Sequence, residues 1–419
     1  MSRAASTVLV VIAIGLFLGS WALLHHGTLA RAQITDTGVY ERYGDATADG
    51  QVPYRDFRLE YPPGALPVFV LPSLGHEGDT AAYDRWFDRL MALCGCLALI
   101  GVALALRALG ADPRRTAAAL LLVAVSPLLL GSVVLTRFDF WPASLAVLAL
   151  AALLHERLVL TALALGAAIA AKLWPVVLAP LVLAHVWRTR GPRAAALWAA
   201  GLVAVDAAIF LPFAVLSPGG LRASFHAQIA RPLQLESLGS AVLVALHHVA
   251  GIHVHVESNF GSQNLAGTAT HAVEIATVAA GMLGVVAVWT LYARAPATGE
   301  RLVAHAAAAT AVLLAFGKVF SPQFLIWLVP LVPLVRGRRG FAAGGLLTTA
   351  LVLTQLYFPR HYWSLADNLA PRESWIVFAR DLAVVALAAV LAWPRLEHEP
   401  LGESRALLEA LQRVRTQVE

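Results

Sequence analysis

The chain has 419 residues, 59% of them hydrophobic and only 14% charged, with a formal net charge of +5. Soluble domains are usually about 45–50% apolar, whereas this inventory matches about twelve membrane helices of about 20 apolar residues each. That excludes a soluble enzyme, a disordered chain, a β-barrel and a single-anchor protein. The excess positive charge is scattered over short loops, so no nucleic-acid partner is expected.

In chain order, the first apolar run covers residues 8–24. A signal peptide fits it too, with Ala30-Arg31-Ala32 as the cleavage site, but many spans follow and a retained first span is the expectation. Further runs cover 91–106, 116–154, 158–186, 194–216, 272–292, 302–335, 341–358 and 375–393. Cys94 and Cys96 sit inside one run and point to different sides of a helix, as core residues.

Three runs are too long for one crossing. Residues 116–154 would make a helix of about 58 Å at 1.5 Å per residue, against a hydrocarbon core of about 30 Å. Each long run is interrupted by charge: Arg137 and Asp139, then Lys172, then Lys318. Each is read as a hairpin with the charge at its crest. The middle one has short arms and also reads as one broken helix. The total is about twelve crossings.

Arginines crowd one set of connections, at 107–115, 157, 188–193, 294–301 and 336–339. The positive-inside rule makes that set cytoplasmic, together with both termini and a polar tail from 395 to 419. The three crests and two long segments, about 25–89 and 217–270, then face outward. Residues 1–394 are expected to form one membrane domain.

The first outer segment interleaves acids with Tyr, Pro and Gly: Asp36-x-x-Val39-Tyr40, Gly44-Asp45-Ala46, Pro53-Tyr54 and Tyr61-x-Pro63. Aromatics and prolines in a loop point to an ordered platform. Lys172 and Lys318 are the only two lysines, both at outward crests beside proline. A basic residue there either snorkels to the interface or meets an anionic lipid headgroup such as a phosphate. In the second segment, Arg231 and Glu236 are further candidates. His253, His255 and Glu257 alternate on one strand face, as a solvated hairpin edge or a metal site.

These segments, with Lys172-x-x-Pro175 and Lys318-Val319-x-Ser321-x-Gln323-x-x-x-Trp327, resemble GT-C membrane glycosyltransferases. The nearest are bacterial polyprenyl-phosphate-dependent α-mannosyltransferases of the glycosyltransferase family 87 type. The first mannosyltransferase of GPI-anchor assembly is similar over the same segments. The resemblance implies an all-α GT-C-type bundle of about twelve transmembrane helices with a long first outer loop. It implies a polyprenyl-phosphate sugar donor, a lipid or glycan acceptor, and inverting transfer on the outer face. Its catalytic acid falls on Asp36. Some relatives have an Asp-x-Asp pair there; here the third position is Gly38, so a metal requirement is open.

The chemistry of the residues runs the same way. Transfer needs a base for the acceptor proton, for which Asp36 stands just past the first span. It also needs fixed cations for the departing phosphate, for which Lys172, Lys318 and Arg137 are candidates. Asp45, Arg231, Glu236 and Gln323 complete the expected substrate-binding set. The competing readings are a twelve-span secondary transporter, which would show two matching halves, and a surface-polysaccharide polymerase or ligase.

Overall fold

The computed structural model describes residues 3–27 and 34–392. The cleavage-like Ala30-Arg31-Ala32 and the polar tail lie outside the described residues. The chain runs through α1 (Arg3–Leu23), α2 (Thr37–Ala48), α3 (Leu66–Ser73), α4 (Thr80–Ala108), α5 (Pro113–Leu130), α6 (Phe140–Leu154), α7 (Leu158–Ala171) and α8 (Ala179–Arg190). It continues through α9 (Pro192–Leu216), α10 (Pro218–Ile229), α11 (Leu238–Ala250), the hairpin β1 (Val254–Asn259) and β2 (Ser262–Gly267), then α12 (Thr270–Ala293) and α13 (Gly299–Ala315). The last helices are α14 (Gly337–Tyr357), α15 (Tyr362–Asn368) and α16 (Pro371–Ala392).

Seven helices are long and apolar enough to cross a membrane: α1, α4, α5, α9, α12, α14 and α16. Shorter apolar helices at Pro63–Ser73, Phe140–Leu154, Leu158–Ala171, Leu238–Ala250 and Pro322–Leu334 accompany them among the described residues. The fold is the all-α membrane bundle expected of a GT-C protein. Helix starts are fixed by local chemistry. Asp112 accepts the amides of Arg114 and Arg115, with Pro113 at the first helical position of α5. Asp79 likewise caps α4 through Ala82 N at 2.9 Å. α13 is buried almost all round and forms the centre of the bundle, whereas α9 exposes nearly its whole surface at the periphery.

The three long runs do fold back at their charges. In the middle one, Glu156 before α7 and Arg190 at the end of α8 form an ion pair at 2.6 Å. Both arms therefore return to one end, so this run is a hairpin and not one broken helix. The return arm of the third run differs from an α-helix. It consists of the 3-10 turns Pro322–Trp327 and Val332–Leu334, because Pro322, Pro330 and Pro333 supply no amide and interrupt the α ladder.

The arginine-rich connections gather at the opposite end from the crests. Arg115 pairs with Glu300 at 2.5 Å, and Arg188 donates to the carbonyls of Ala293 and Ala295. At the crest end, the first loop folds as α2, a 3-10 turn at Pro63–Ala65, and α3. Tyr40 stacks on Phe69 with centroids 4.5 Å apart and meets Phe138 edge-on at 5.6 Å. Two glycines permit this packing. A Cβ on Gly44 would lie 2.3 Å from Phe69 O, and one on Gly64 would lie 2.4 Å from the Ala170 carbonyl carbon. The first loop is thus pressed onto the end of α7, next to Lys172.

Candidate active site

A cavity of about 470 Å³ opens at the crest end. Its walls come from the first loop (Asp36, Tyr40, Glu60, Tyr61), the crests (Arg137, Lys172, Trp174, Gln323, Trp327), the second outer segment (Arg231, Gln234, Glu236), the hairpin tip and Tyr362. Six of the eight expected site residues line it. Lys318 and Asp45 do not.

Asp36 occupies the N-cap position of α2, but its side chain does not cap the helix. One oxygen lies 3.2 Å from Arg137 Nη1, and the other accepts Tyr40 O–H at 3.4 Å. About a third of the side chain is exposed, so lone pairs remain open to the cavity. Arg137 is buried. It also donates from Nη1 to Thr136 O at 3.3 Å, while its Nε has no protein partner. A buried guanidinium with spare donors is a strong point of attraction for an anion.

Below this pair lies a contact of three crests. Asp139, fully buried, accepts Lys172 Nζ at 2.6 Å and Trp327 Nε1 at 2.6 Å on the same oxygen. The Lys172 ammonium sits 4.8 Å from the ring centres of Phe138 and Phe324 and 5.4 Å from that of Trp327. Trp174 stacks on Trp327 at 5.0 Å. Aromatic faces and a carboxylate together hold the cation where water is scarce. Lys172 therefore does not snorkel away; its charge is fixed at the cavity wall.

The second outer segment brings Arg231, whose Nε is buried without a partner and whose burial lowers its pKa. Glu236 is buried between donors: Tyr357 O–H reaches Oε1 at 2.6 Å and Gln234 Nε2 reaches Oε2 at 3.2 Å. Burial pushes its carboxyl up to about 7, against the pull of Arg380 and of the Tyr357 hydroxyl. Arg380 donates to the Glu236 carbonyl, pairs with Asp381 at 2.8 Å and lies over Phe320 at 4.0 Å. Sequence reading singled out neither Asp139 nor the Tyr357, Arg380 and Asp381 group as site residues. The available signal was two adjacent ionisable residues, Arg380 and Asp381, inside an apolar run.

Lys318 is directed elsewhere. Its ammonium donates to Ile229 O and to Glu274 Oε1, both at 2.8 Å, while its carbonyl accepts Gln234 N at 2.9 Å. It ties the third crest to the second outer segment. Asp45 accepts Gly78 N at 3.1 Å and joins α2 to the turn before α4. His255 and Glu257 lie exposed on β1, 3.3 Å apart. Among the described residues, no three His, Cys, Asp or Glu side chains are grouped to hold a metal ion.

The profile of glycosyltransferase family 87 matches residues 59–322. That stretch contains Arg137, Asp139, Lys172, Arg231, Glu236 and Lys318 and begins after Asp36. Among solved structures, the archaeal oligosaccharyltransferase AglB from Archaeoglobus fulgidus, in complex with an inhibitory peptide and a dolichol-phosphate, is similar over 92% of this chain and 55% of its own, at 16% identity and a TM-score of 0.45. The Archaeoglobus fulgidus oligosaccharyltransferase in complex with Zn and sulfate is similar over 94% of this chain and 56% of its own, at 16% identity and a TM-score of 0.39. The chain thus spans little more than half the length of these structures. No curated protein matches it. With the family profile covering more than half of its residues, the chain belongs to glycosyltransferase family 87.

Proposed function

We propose that the protein transfers a hexose, mannose by its family resemblance, from a polyprenyl-phosphate donor to a hydroxyl of a lipid or glycan acceptor. The observation that carries this reading is the single cavity shared by the Asp36 carboxylate and the cations Arg137, Lys172 and Arg231. The acceptor oxygen attacks the anomeric carbon as the bond from that carbon to the phosphate oxygen breaks. The electron pair leaves with the lipid phosphate, and the acceptor proton passes to Asp36. The phosphate needs no proton, so one carboxylate suffices and the product has inverted anomeric configuration, unlike the two-carboxylate route of retaining glycosidases.

In this reading Arg137 has two tasks. It holds Asp36 in place through their 3.2 Å contact, and with Lys172 and Arg231 it meets the charge growing on the phosphate. Fixed charges in a dry site need no reorganisation when that charge appears. Lys318 and Asp45 act at one remove, bracing the second outer segment and the first loop. The arginine-rich end faces the cytoplasm with both termini, and the cavity faces outward, where a lipid phosphate would reach the crest cations.

The test is purified protein with a panel of polyprenyl-phosphate sugars and labelled acceptors. Transfer with inversion is expected. A product that keeps the donor's anomeric configuration would overturn the single displacement, and no consumption of any lipid-phosphate sugar would overturn the donor. Cysteine labelling from outside should modify a cysteine placed at 49 and spare one placed at 338. The opposite pattern would overturn the orientation.

A further inference from the structure

The hairpin of β1 and β2 has no part in the mechanism above, yet its tip reaches the site. Phe260, Gly261 and Ser262 all line the cavity. Phe260 is 48% exposed and has a φ of 50°. A two-residue hairpin turn with both central residues left-handed favours Asn-Gly. An aromatic residue at the first of these positions is strained, and such strain persists where a side chain is needed. The ring is therefore held at the mouth of the cavity at the expense of the turn, with half of its surface uncovered.

The tip is also rigid with respect to the site. Asn264 Nδ2 donates to Asn259 O at 2.9 Å and to Asn259 Oδ1 at 2.6 Å, closing the hairpin from within. The hairpin is joined to the strand-like stretch before α11: Leu235 N donates to Gln263 O at 3.0 Å and Leu265 N to Leu233 O at 2.8 Å. Those bonds place Phe260 and Ser262 at a fixed offset from Gln234 and Glu236. The result is an exposed apolar ring lining the same cavity as Ser262, Gln234 and Glu236. A pyranose offers the matching surface, an apolar C–H face with hydroxyls around its edge.

The position selects acceptor over donor. The donor's phosphate is met at the helix ends, where Lys172 adjoins the exposed apolar residues Leu173 and Val176. The hairpin lies in the outer segment beyond the ends of α9 and α12. Resting on the transfer reaction proposed above, we infer that the hairpin tip is an acceptor subsite, with Phe260 the stacking platform for a hexopyranose unit whose free hydroxyl is turned toward Asp36.

The experiment separates this subsite from the donor assignment. Full-length protein in lipid nanodiscs, without donor, is mixed with methyl glycosides of hexose mono-, di- and trisaccharides, and binding is read by saturation-transfer NMR. Phe260→Asn suits the left-handed turn, so it should keep or raise the unfolding temperature while weakening glycoside binding by about three- to tenfold. Phe260→Trp should bind at least as well as wild type. Equal binding by Phe260→Asn and wild type, or no glycoside binding by the wild type, would overturn the subsite. In transfer assays, Phe260→Asn should raise the acceptor KM more than the donor KM. Phe260-dependent glycoside binding without consumption of any lipid-phosphate sugar would sink the donor reading and leave the subsite standing. Transfer with an unchanged acceptor KM would do the reverse.

Discussion

Lys172 and Lys318 each sit at the crest of an apolar hairpin, next to aromatic residues and a proline, yet the fold gives them opposite company. Lys172 is enclosed by Asp139, Phe138, Phe324 and Trp327, at the cavity wall. Lys318 reaches sideways to Ile229 O and Glu274, both of them on the surrounding segments. A cation boxed by rings and a buried carboxylate is held in a region of low dielectric, where it acts strongly on a neighbouring anion. A cation bonded to a partly exposed carboxylate is screened and mainly fixes the position of what it joins. The comparison teaches that the same residue in similar local sequence is fixed at the cavity wall at one crest and braces neighbouring segments at the other.

The largest expected effect lies on the binding side. Asp36→Asn keeps the shape of the side chain and removes the proposed base, so turnover should fall by about 10²–10⁴-fold with donor affinity retained. Measuring product formation and donor binding on one preparation decides it. Near-normal turnover would move attention to Glu60, which also lines the cavity.

Next comes the enclosed pair. Lys172→Met leaves Asp139 buried without its cation, and breaking a buried pair costs about 3–5 kcal/mol. The double variant Lys172→Met/Asp139→Asn removes both charges and should recover most of that stability. If Lys172 meets the phosphate, donor affinity stays about ten- to a hundredfold weaker in the double variant, as a charge-assisted contact is worth about 1.5–3 kcal/mol. Recovery of donor KM together with stability would show that Lys172 only packs.

Glu236 extends the comparison to a carboxylate walled in by donors. Its folded pKa of about 7 lies above the ordinary 4.5. Between those values the unfolded chain has released the proton while the folded chain keeps it. Stability should therefore be highest below about 4.5, fall as pH rises to about 7, and level off above. Unfolding midpoints taken across that window on wild type and Glu236→Gln check it: the variant should lose this component of the pH dependence. An identical profile in both proteins would mean the group titrates normally.

The smallest effect belongs to Lys318→Met. Its pair with Glu274 is about one-fifth exposed on each side, against a fully buried Asp139 at the other crest, so its loss should cost less than that of Lys172 and leave donor KM unchanged. A donor KM raised as far as that of Lys172→Met would erase the distinction between the crests.

What the chain reveals by itself is what depends on properties read along it. Hydropathy and length marked the long runs, and charge inside them marked where each folds back, because a crossing helix cannot exceed the bilayer by twofold. Arginine density separated the two ends, and the Tyr-, Pro- and Gly-rich first loop announced an ordered unit containing Asp36. Tertiary structure alone decided the partnerships. Asp139 meets Lys172 across 33 residues and Trp327 across 188, and no periodicity links positions so far apart. Lys318 could not be told from Lys172 until packing placed Glu274 beside one and Asp139 beside the other. Arg380 and Asp381 were passed over within their apolar run, since a pair of opposite charges barely lowers a helix's average hydropathy. Only the surrounding helices show that they support Glu236. Local sequence sets where a side chain sits on its own element; which charges it faces is a property of how elements pack.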